Sequence, residues 1–386
     1  MNPQTIYLDN NATTRTAPEV IDAMMPFLGE RYGNPSSIHR FGGTVRRSVD
    51  AAREQVAALL GADPSEIVFT GCGSESDNCV IQGFFRLHKG ATRIITSTVE
   101  HPAVRNLCHH LRDEGAEVIE IGVDAEGMLD MELLRQTPLD EHTLLSFMWA
   151  NNETGVLFPI EEIAHLAGEY GAWFHTDAVQ AVGKVAIDLS RIPVDFLALS
   201  GHKLHAPKGV GALYMRKGRK IPPLMYGGHQ EQGFRPGTEN VPYIVGLGRA
   251  CALASGLIGE ENSRIRAMRD RLENALLASC KGAKLNGHKM NRLPNTAKIS
   301  FEFIEGEAIL LLLDEKGIAA SSGSACTTGS LEPSHVMRAM GLPYTIAHSS
   351  TRFSLSRYTI DAEIDAVIEA MPPIIDRLRS ISPYVK

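Results

Sequence analysis

Short apolar runs alternate along this chain with longer stretches whose apolar positions recur at helical spacing. Val45, Val49, Ala52, Val56 and Leu59 repeat at that spacing and predict a helix. Ile67 to Thr70 predicts a strand ending in Gly71-Cys72-Gly73, and Arg93 to Thr96 predicts a second. Leu144 to Trp149 predicts a third, ending in Asn151-Asn152-Glu153-Thr154-Gly155. Ala172 to His175 predicts a fourth that closes at Asp177, and Phe196 to Leu199 a fifth that runs into Ser200-Gly201-His202-Lys203. Val210 to Met215 predicts a sixth. Strand, loop, helix, strand is the pattern of an α/β fold, a mainly parallel sheet covered by helices on both faces. Such sheets bind ligands beyond the carboxyl ends of their strands. Here the polar clusters fall repeatedly at those ends.

The texture changes after about residue 257. Charged helical segments run to about residue 280, then a strand at Ile299 to Phe301 and a helix at Glu307 to Asp314. A strand at Thr351 to Leu355 precedes a last helix from about Asp361. This reads as a smaller α+β domain, with a large domain over 15–257 and a small one formed by 1–14 and 258–386. No internal repeat or low-complexity segment interrupts the pattern.

Composition narrows the picture. A chain of 386 residues, 44% of them apolar, suits two domains or one large one. The net charge of −7 is spread without runs of one sign, and no basic stripe suggests direct binding to nucleic acid. No window approaches 18 uninterrupted apolar residues, so no membrane span is expected. The N-terminus lacks a basic stretch followed by an apolar one, so the expected address is the cytoplasm. The six cysteines, Cys72, Cys79, Cys108, Cys251, Cys280 and Cys326, are too sparse for a disulfide framework and show no CxxC spacing.

The chemistry gathers at the strand ends. Lys203 follows an apolar strand, where burial and neighbouring cations lower an amine's pKa and suit it to a Schiff base with pyridoxal phosphate (PLP). Most lysines are simply solvated, so its neighbours matter. Asp177 ends an earlier strand, and PLP needs an acidic partner for its ring nitrogen; a helix N-cap is the plain alternative. Gln180 follows closely enough to donate to the ring hydroxyl. Gly71-Cys72-Gly73-Ser74 joins a strand to a helix start, where free N–H groups bind anions. Ser74, Ser200 and His202 can add side-chain donors to a phosphate there. His101 follows a strand and can stack on a ring and relay protons; a lone histidine is more often structural. Arg352 can clamp a carboxylate with two parallel hydrogen bonds, with Asn152 reaching the same group or the cofactor; a surface salt bridge is the ordinary alternative. Cys326 stands in Ser321-Ser322-Gly323-Ser324-Ala325-Cys326-Thr327-Thr328-Gly329-Ser330. Small and polar surroundings predict an exposed, mobile loop, and an exposed cysteine invites a reactive role beside the duller one of a surface thiol.

These clusters together resemble the NifS/IscS cysteine desulfurases, class V aminotransferase-like enzymes of fold type I that use PLP. The likeness runs from Tyr7-Leu8-Asp9-Asn10-Asn11-Ala12-Thr13-Thr14 through Gly33-Asn34-Pro35-Ser36-Ser37-Ile38-His39 and the Gly71 to Asn78 loop. It continues through Glu100-His101, Asn151 to Gly155, His175 to Gln180, Ser200 to Lys203, Arg235 to Asn240, the Cys326 loop and Arg352-Phe353-Ser354. The resemblance implies that Lys203 carries PLP, Asp177 pairs with the ring nitrogen, Gln180 with the ring hydroxyl, and His101 stacks on the ring. Gly73, Ser74, Ser200 and His202 would hold the phosphate. Thr238 would reach the phosphate of the other subunit, which implies a homodimer. Asn152 and Arg352 would bind the carboxylate of L-cysteine. The longer Cys326 loop sets the chain apart from selenocysteine lyase-like relatives, and Cys72 in the phosphate loop and the absence of a long extension past Lys386 favour the NifS branch.

The activity so implied is removal of sulfur from L-cysteine to give L-alanine and a persulfide on Cys326. A NifU/IscU-like scaffold protein for iron–sulfur assembly is the expected acceptor, and Cys326 is the candidate ligand of a transient cluster. Alternatives are selenocysteine lyase, another class V PLP enzyme, a desulfurase serving tRNA thiolation, and a sulfur-carrier docking protein without activity.

Overall fold

The computed structural model describes residues 5–322 and 333–383. Twelve strands are described: β1 (Ile6–Tyr7), β2 (Ile67–Thr70), β3 (Arg93–Ser97), β4 (Glu117–Ile121), β5 (Thr143–Met148), β6 (Trp173–Asp177), β7 (Phe196–Ser200), β8 (Gly211–Met215), β9 (Ala283–Leu285), β10 (Thr296–Phe301), β11 (Ile318–Ala319) and β12 (Ser350–Ser354). The helices are α1 (Pro18–Leu28), α2 (Arg40–Leu60), α3 (Gly73–Leu87), α4 (Pro102–Asp113), α5 (Met131–Gln136), α6 (Ile160–Glu169), α7 (Val241–Ser279), α8 (Gly306–Asp314), α9 (His335–Ala339), α10 (Tyr344–Ala347) and α11 (Asp361–Ile381).

Seven strands form the main sheet in the order β2-β8-β7-β6-β5-β3-β4. From β4 to β7 they run parallel, while β8 lies antiparallel between β7 and β2. β5 and β7 are buried at every position, as strands covered on both faces must be. One face is closed by α3 and α4, whose Val80, Phe84, Val104 and Leu111 share a core. The other packs on α6 and on the α1, α2 and α7 group. β4 was not anticipated: its Glu117-Val118-Ile119-Glu120-Ile121 is a half-exposed edge whose charged positions mask the strand pattern.

The helical texture expected after residue 257 begins earlier. α7 is one helix of 39 residues and runs unbroken across the expected 257/258 division. Its residues up to Ala254 join the core of the main sheet, and those from Ile265 join a second core. That second core lies against the sheet β12-β10-β9 and includes Leu8, because β1 pairs parallel with β11. α7 is long and apolar enough over one window to cross a membrane. Its Ile244, Leu247, Ala250 and Cys251 are instead buried against the neighbouring helices, as in a core helix.

The register of the parallel strands places the site. Met148 stands opposite Asp177, and Asp177 opposite Ala198, so β5, β6 and β7 end at nearly the same level. The loops that leave them meet above the sheet.

Candidate active site

Above these strand ends lies a cavity of about 320 Å³, within the usual range for a small-ligand pocket. Ten of the expected site residues line it: Gly73, Ser74, His101, Asn152, Asp177, Gln180, Ser200, His202, Lys203 and Arg352. Residues as far apart in sequence as Gly73 and Arg352 thus share one space. Thr238 is exposed and does not line this cavity. Cys326 lies outside the described residues.

Asp177 ends β6 and is 7% exposed. Its Oδ1 accepts from Val179 N at 2.9 Å. Burial pushes its pKa up, while the nearby His101 and Lys203 pull it down. A cationic ring nitrogen facing this carboxyl would hold it ionised. His101 is the N-cap of α4, its Nδ1 accepting from Ala103 N at 3.2 Å. Burial lowers its pKa, so the imidazole is neutral, and with Nδ1 accepting the proton sits on Nε2. His101 thus has the structural role of a helix cap and also lines the cavity.

Lys203 closes a short 3-10 turn after β7. Its Nζ donates to the carbonyls of Asn11 at 2.6 Å and Ala12 at 2.7 Å. The N-terminal turn is tied to the same loop, since Thr14 N and Oγ1 both donate to His202 O. His202 Nδ1 lies 3.1 Å from Thr13 Oγ1. Burial and the surrounding lysines push its pKa down to about 4. Gln180 Nε2 donates to Asn11 O at 2.9 Å, and its Oε1 accepts from Lys184 Nζ at 2.8 Å. Burial first, then Lys203 and Arg352, bring the Lys184 amine down to about 7.

The start of α3 fits an anion. Its N-cap, Cys72, makes no capping bond from its side chain, which leaves helix N–H groups for a ligand. Gly73 is required by packing: a Cβ there would stand 2.5 Å from Val179 Cγ2, on the loop after Asp177. The helix start and the acid of β6 are thus locked side by side. Ring acid, amine, anion-binding helix start and adjacent imidazole form the donor set that PLP requires, and the residues present fit the group.

Arg352, on β12, is 2% exposed. Its Nη2 pairs with Asp9 Oδ1 at 2.6 Å and its Nη1 donates to Asn152 O at 2.8 Å. Nε is buried with no hydrogen-bond partner among the described residues. Arg352 is buried while its partner Asp9 is 21% exposed, so the pair is half-buried rather than a surface salt bridge.

Several residues here escaped the sequence reading. Asn11 is 1% exposed and is hydrogen-bonded to six residues: Asn152, Gln180, Lys203, Asn295, Thr296 and Ser354. Only its place in a polar run after a short apolar one hinted at it. Asp77 of α3 and His335 of α9 also line the cavity. Asp77 Oδ1 faces His175 Nε2 at 3.4 Å, and His175 Nδ1 meets Ser146 Oγ at 2.9 Å. Burial, then Asp177 and Glu100, hold the Asp77 carboxyl well above the usual range.

The family model described as aminotransferase class-V matches residues 6–367. The chain is 56% identical over 380 residues to the cysteine desulfurase NifS of Azotobacter vinelandii, covering 98% of this chain and 94% of that one. It is also 56% identical over 379 residues to the cysteine desulfurase of Trichormus azollae, covering 98% and 95%. A solved structure of a NifS-like protein superimposes with a TM-score of 0.91 at 37% identity, covering 97% of this chain and 100% of the other.

Proposed function

The chain belongs to the aminotransferase class-V family, and on that premise we propose how its residues divide the work of a cysteine desulfurase. The activity is PLP-dependent removal of sulfur from L-cysteine. One observation carries the division of roles: Lys203, Asp177, His101 and Arg352, from four separate elements, line a single cavity.

When bound, the cofactor supplies an electron sink that weakens the bonds to the substrate's Cα. Lys203 would hold it covalently, and Asp177 would keep a proton on its ring nitrogen. Gly73, Ser74, Ser200 and His202 would hold its phosphate, His101 would stack on its ring, and Gln180 would face its hydroxyl. Arg352 and Asn152 would fix the substrate carboxylate. The unpartnered Nε of Arg352 supports this, because a buried donor left unpaired costs about 1–3 kcal/mol that an incoming carboxylate would offset.

The freed Lys203 amine removes and returns the proton at Cα. His101, neutral, takes up and returns thiol protons. Cys326, as thiolate, attacks the substrate sulfur: the new S–S bond forms, the Cβ–S bond breaks, and its electron pair stays with carbon. Protonation there gives L-alanine, and the sulfur remains on Cys326 as a persulfide. The persulfide then passes to an acceptor, here a NifU/IscU-like scaffold in iron–sulfur assembly.

The chain divides into 15–257 and 1–14 with 258–386, and works as a cytoplasmic homodimer in which Thr238 serves the partner's phosphate. Ile21, Met25 and Leu28, exposed along one face of α1, support a partner surface. Mass spectrometry after turnover with L-cysteine should find one added sulfur on Cys326 and stoichiometric alanine. Alanine without sulfur on Cys326 overturns the assignment of the nucleophile.

A further inference from the structure

A buried ion pair at the cavity wall involves none of the residues assigned above to cofactor or substrate. Lys298, on β10, is fully buried, and its Nζ lies 3.3 Å from Oε2 of the equally buried Glu153. Lys298 also donates to the carbonyl of Ser322. The other carboxylate oxygen of Glu153 accepts from Ser334 Oγ at 2.7 Å. Ser334 in turn caps α9, accepting from the N–H groups of Val336 and Met337. The chain therefore leaves the pair at Ser322 and returns to it at Ser334. Between those two residues in the sequence stands Cys326.

The pair is costly where it sits. Taking two charges out of water costs several kcal/mol per ion, and apolar residues of the same volume often serve a fold better. Lys298 is also directly opposite Arg352 across β10 and β12, and like charges in that position are destabilising. Burial first, and Arg352 as well, push the Lys298 amine down, with only Glu153 opposing them. Stability of the sheet does not account for a lysine here. The two bonds to the flanks of one segment do.

We propose that the Glu153–Lys298 pair anchors both ends of the Cys326-bearing segment at the cavity, making both residues positioning residues for sulfur transfer to that thiol. This rests on the reading of Cys326 as the sulfur acceptor. Glu153 itself lines the cavity. Four residues of chain span at most about 14 Å, so fixing Ser322 at Lys298 limits how far Cys326 can stand from the substrate. Loosening that end lowers the effective concentration of the thiol, and a misplacement of about 1 Å can cost about a hundredfold in rate.

The test uses the double variant Glu153→Gln/Lys298→Met, which leaves no unpaired buried charge, beside Ser334→Ala and Ser334→Thr. Cofactor absorbance, its change on titration with L-cysteine, and the rate of sulfur gain on Cys326 are followed in each. The expected result is an unchanged spectrum and half-saturation with persulfide formation slowed about tenfold to a hundredfold. Ser334→Ala should show part of that loss, and Ser334→Thr, which keeps the hydroxyl, should recover it. A normal rate of sulfur gain in the double variant overturns the proposal. So does a loss of cofactor binding and half-saturation in step with the rate, which marks a merely structural pair. Cys326→Ala, run in parallel, separates the two readings. If it releases sulfide at the normal rate, the acceptor assignment falls and the anchor with it. If it is inactive while the double variant is unimpaired, only the anchor falls.

Discussion

At the scale of single residues, charge and burial decide most of what the site can do. Lys203→Ala should abolish the absorbance of the lysine-bound cofactor while leaving the fold intact, as read by absorption and circular dichroism; an unchanged spectrum would remove Lys203 from its role. Glu100 offers a pH test. It is fully buried, and burial raises its pKa to about 8 against the hydrogen bonds from Ser97 and Met148. Between the ordinary carboxyl value and about 8, the folded state keeps this proton and the unfolded state releases it. Stability from this group is therefore full below the ordinary value and is lost as pH rises towards 8. Glu100→Gln mimics the protonated form, because its Oε1 can keep both bonds. The variant should lose less stability than the parent between pH 6 and pH 8.5 in urea melts; parallel curves would show that Glu100 does not titrate there. Of the residues lining the cavity, Lys203, Asp177 and His101 were legible because each ends an apolar run. Asn11 and Asp77 were not, since nothing local marks a residue whose partners come from distant loops.

At the scale of elements, close approach decides. α2 and α7 cross where a Cβ on Gly248 would lie 2.6 Å from Ala52 Cα. Alanine is the better helix former by about 1 kcal/mol, but overpacking a tight contact costs about 1–3 kcal/mol. Gly248→Ala should therefore lower the melting temperature, and a rise would show that the helices can part at little cost. Strand and helix periods were legible wherever one face or both were buried without interruption, as in β5, β7 and α2. The edge strand β4 was hidden by Glu117 and Glu120, which fall three positions apart and break the period-2 pattern. The length of α7 was hidden because none of its residues between Ala254 and Ile265 is buried, so its apolar stripe is interrupted between the two cores.

At the scale of the whole molecule, the reading of Thr238 predicts shared sites. Lys203→Ala and Thr238→Ala chains, each impaired alone, should regain activity when unfolded, mixed and refolded together. In the mixed dimer one site has both an intact Lys203 and an intact Thr238 from its partner. No gain over the separate variants would place Thr238 in its own subunit or outside the site.

Lys203 at the end of β7 and Asp177 at the end of β6 follow from local pattern alone: an apolar strand, then the residue that carries chemistry. The sequence by itself determined the α/β class, the cofactor and the reaction, because each is written in short contiguous motifs. Only the tertiary structure decided that Asp9 pairs with Arg352, that Asn11 walls the cavity, and that Glu153 and Lys298 meet at the two flanks of the Cys326 segment. Those contacts join residues from 24 to 343 positions apart. They arise where the first strand docks beside the last sheet, a packing that no local periodicity encodes.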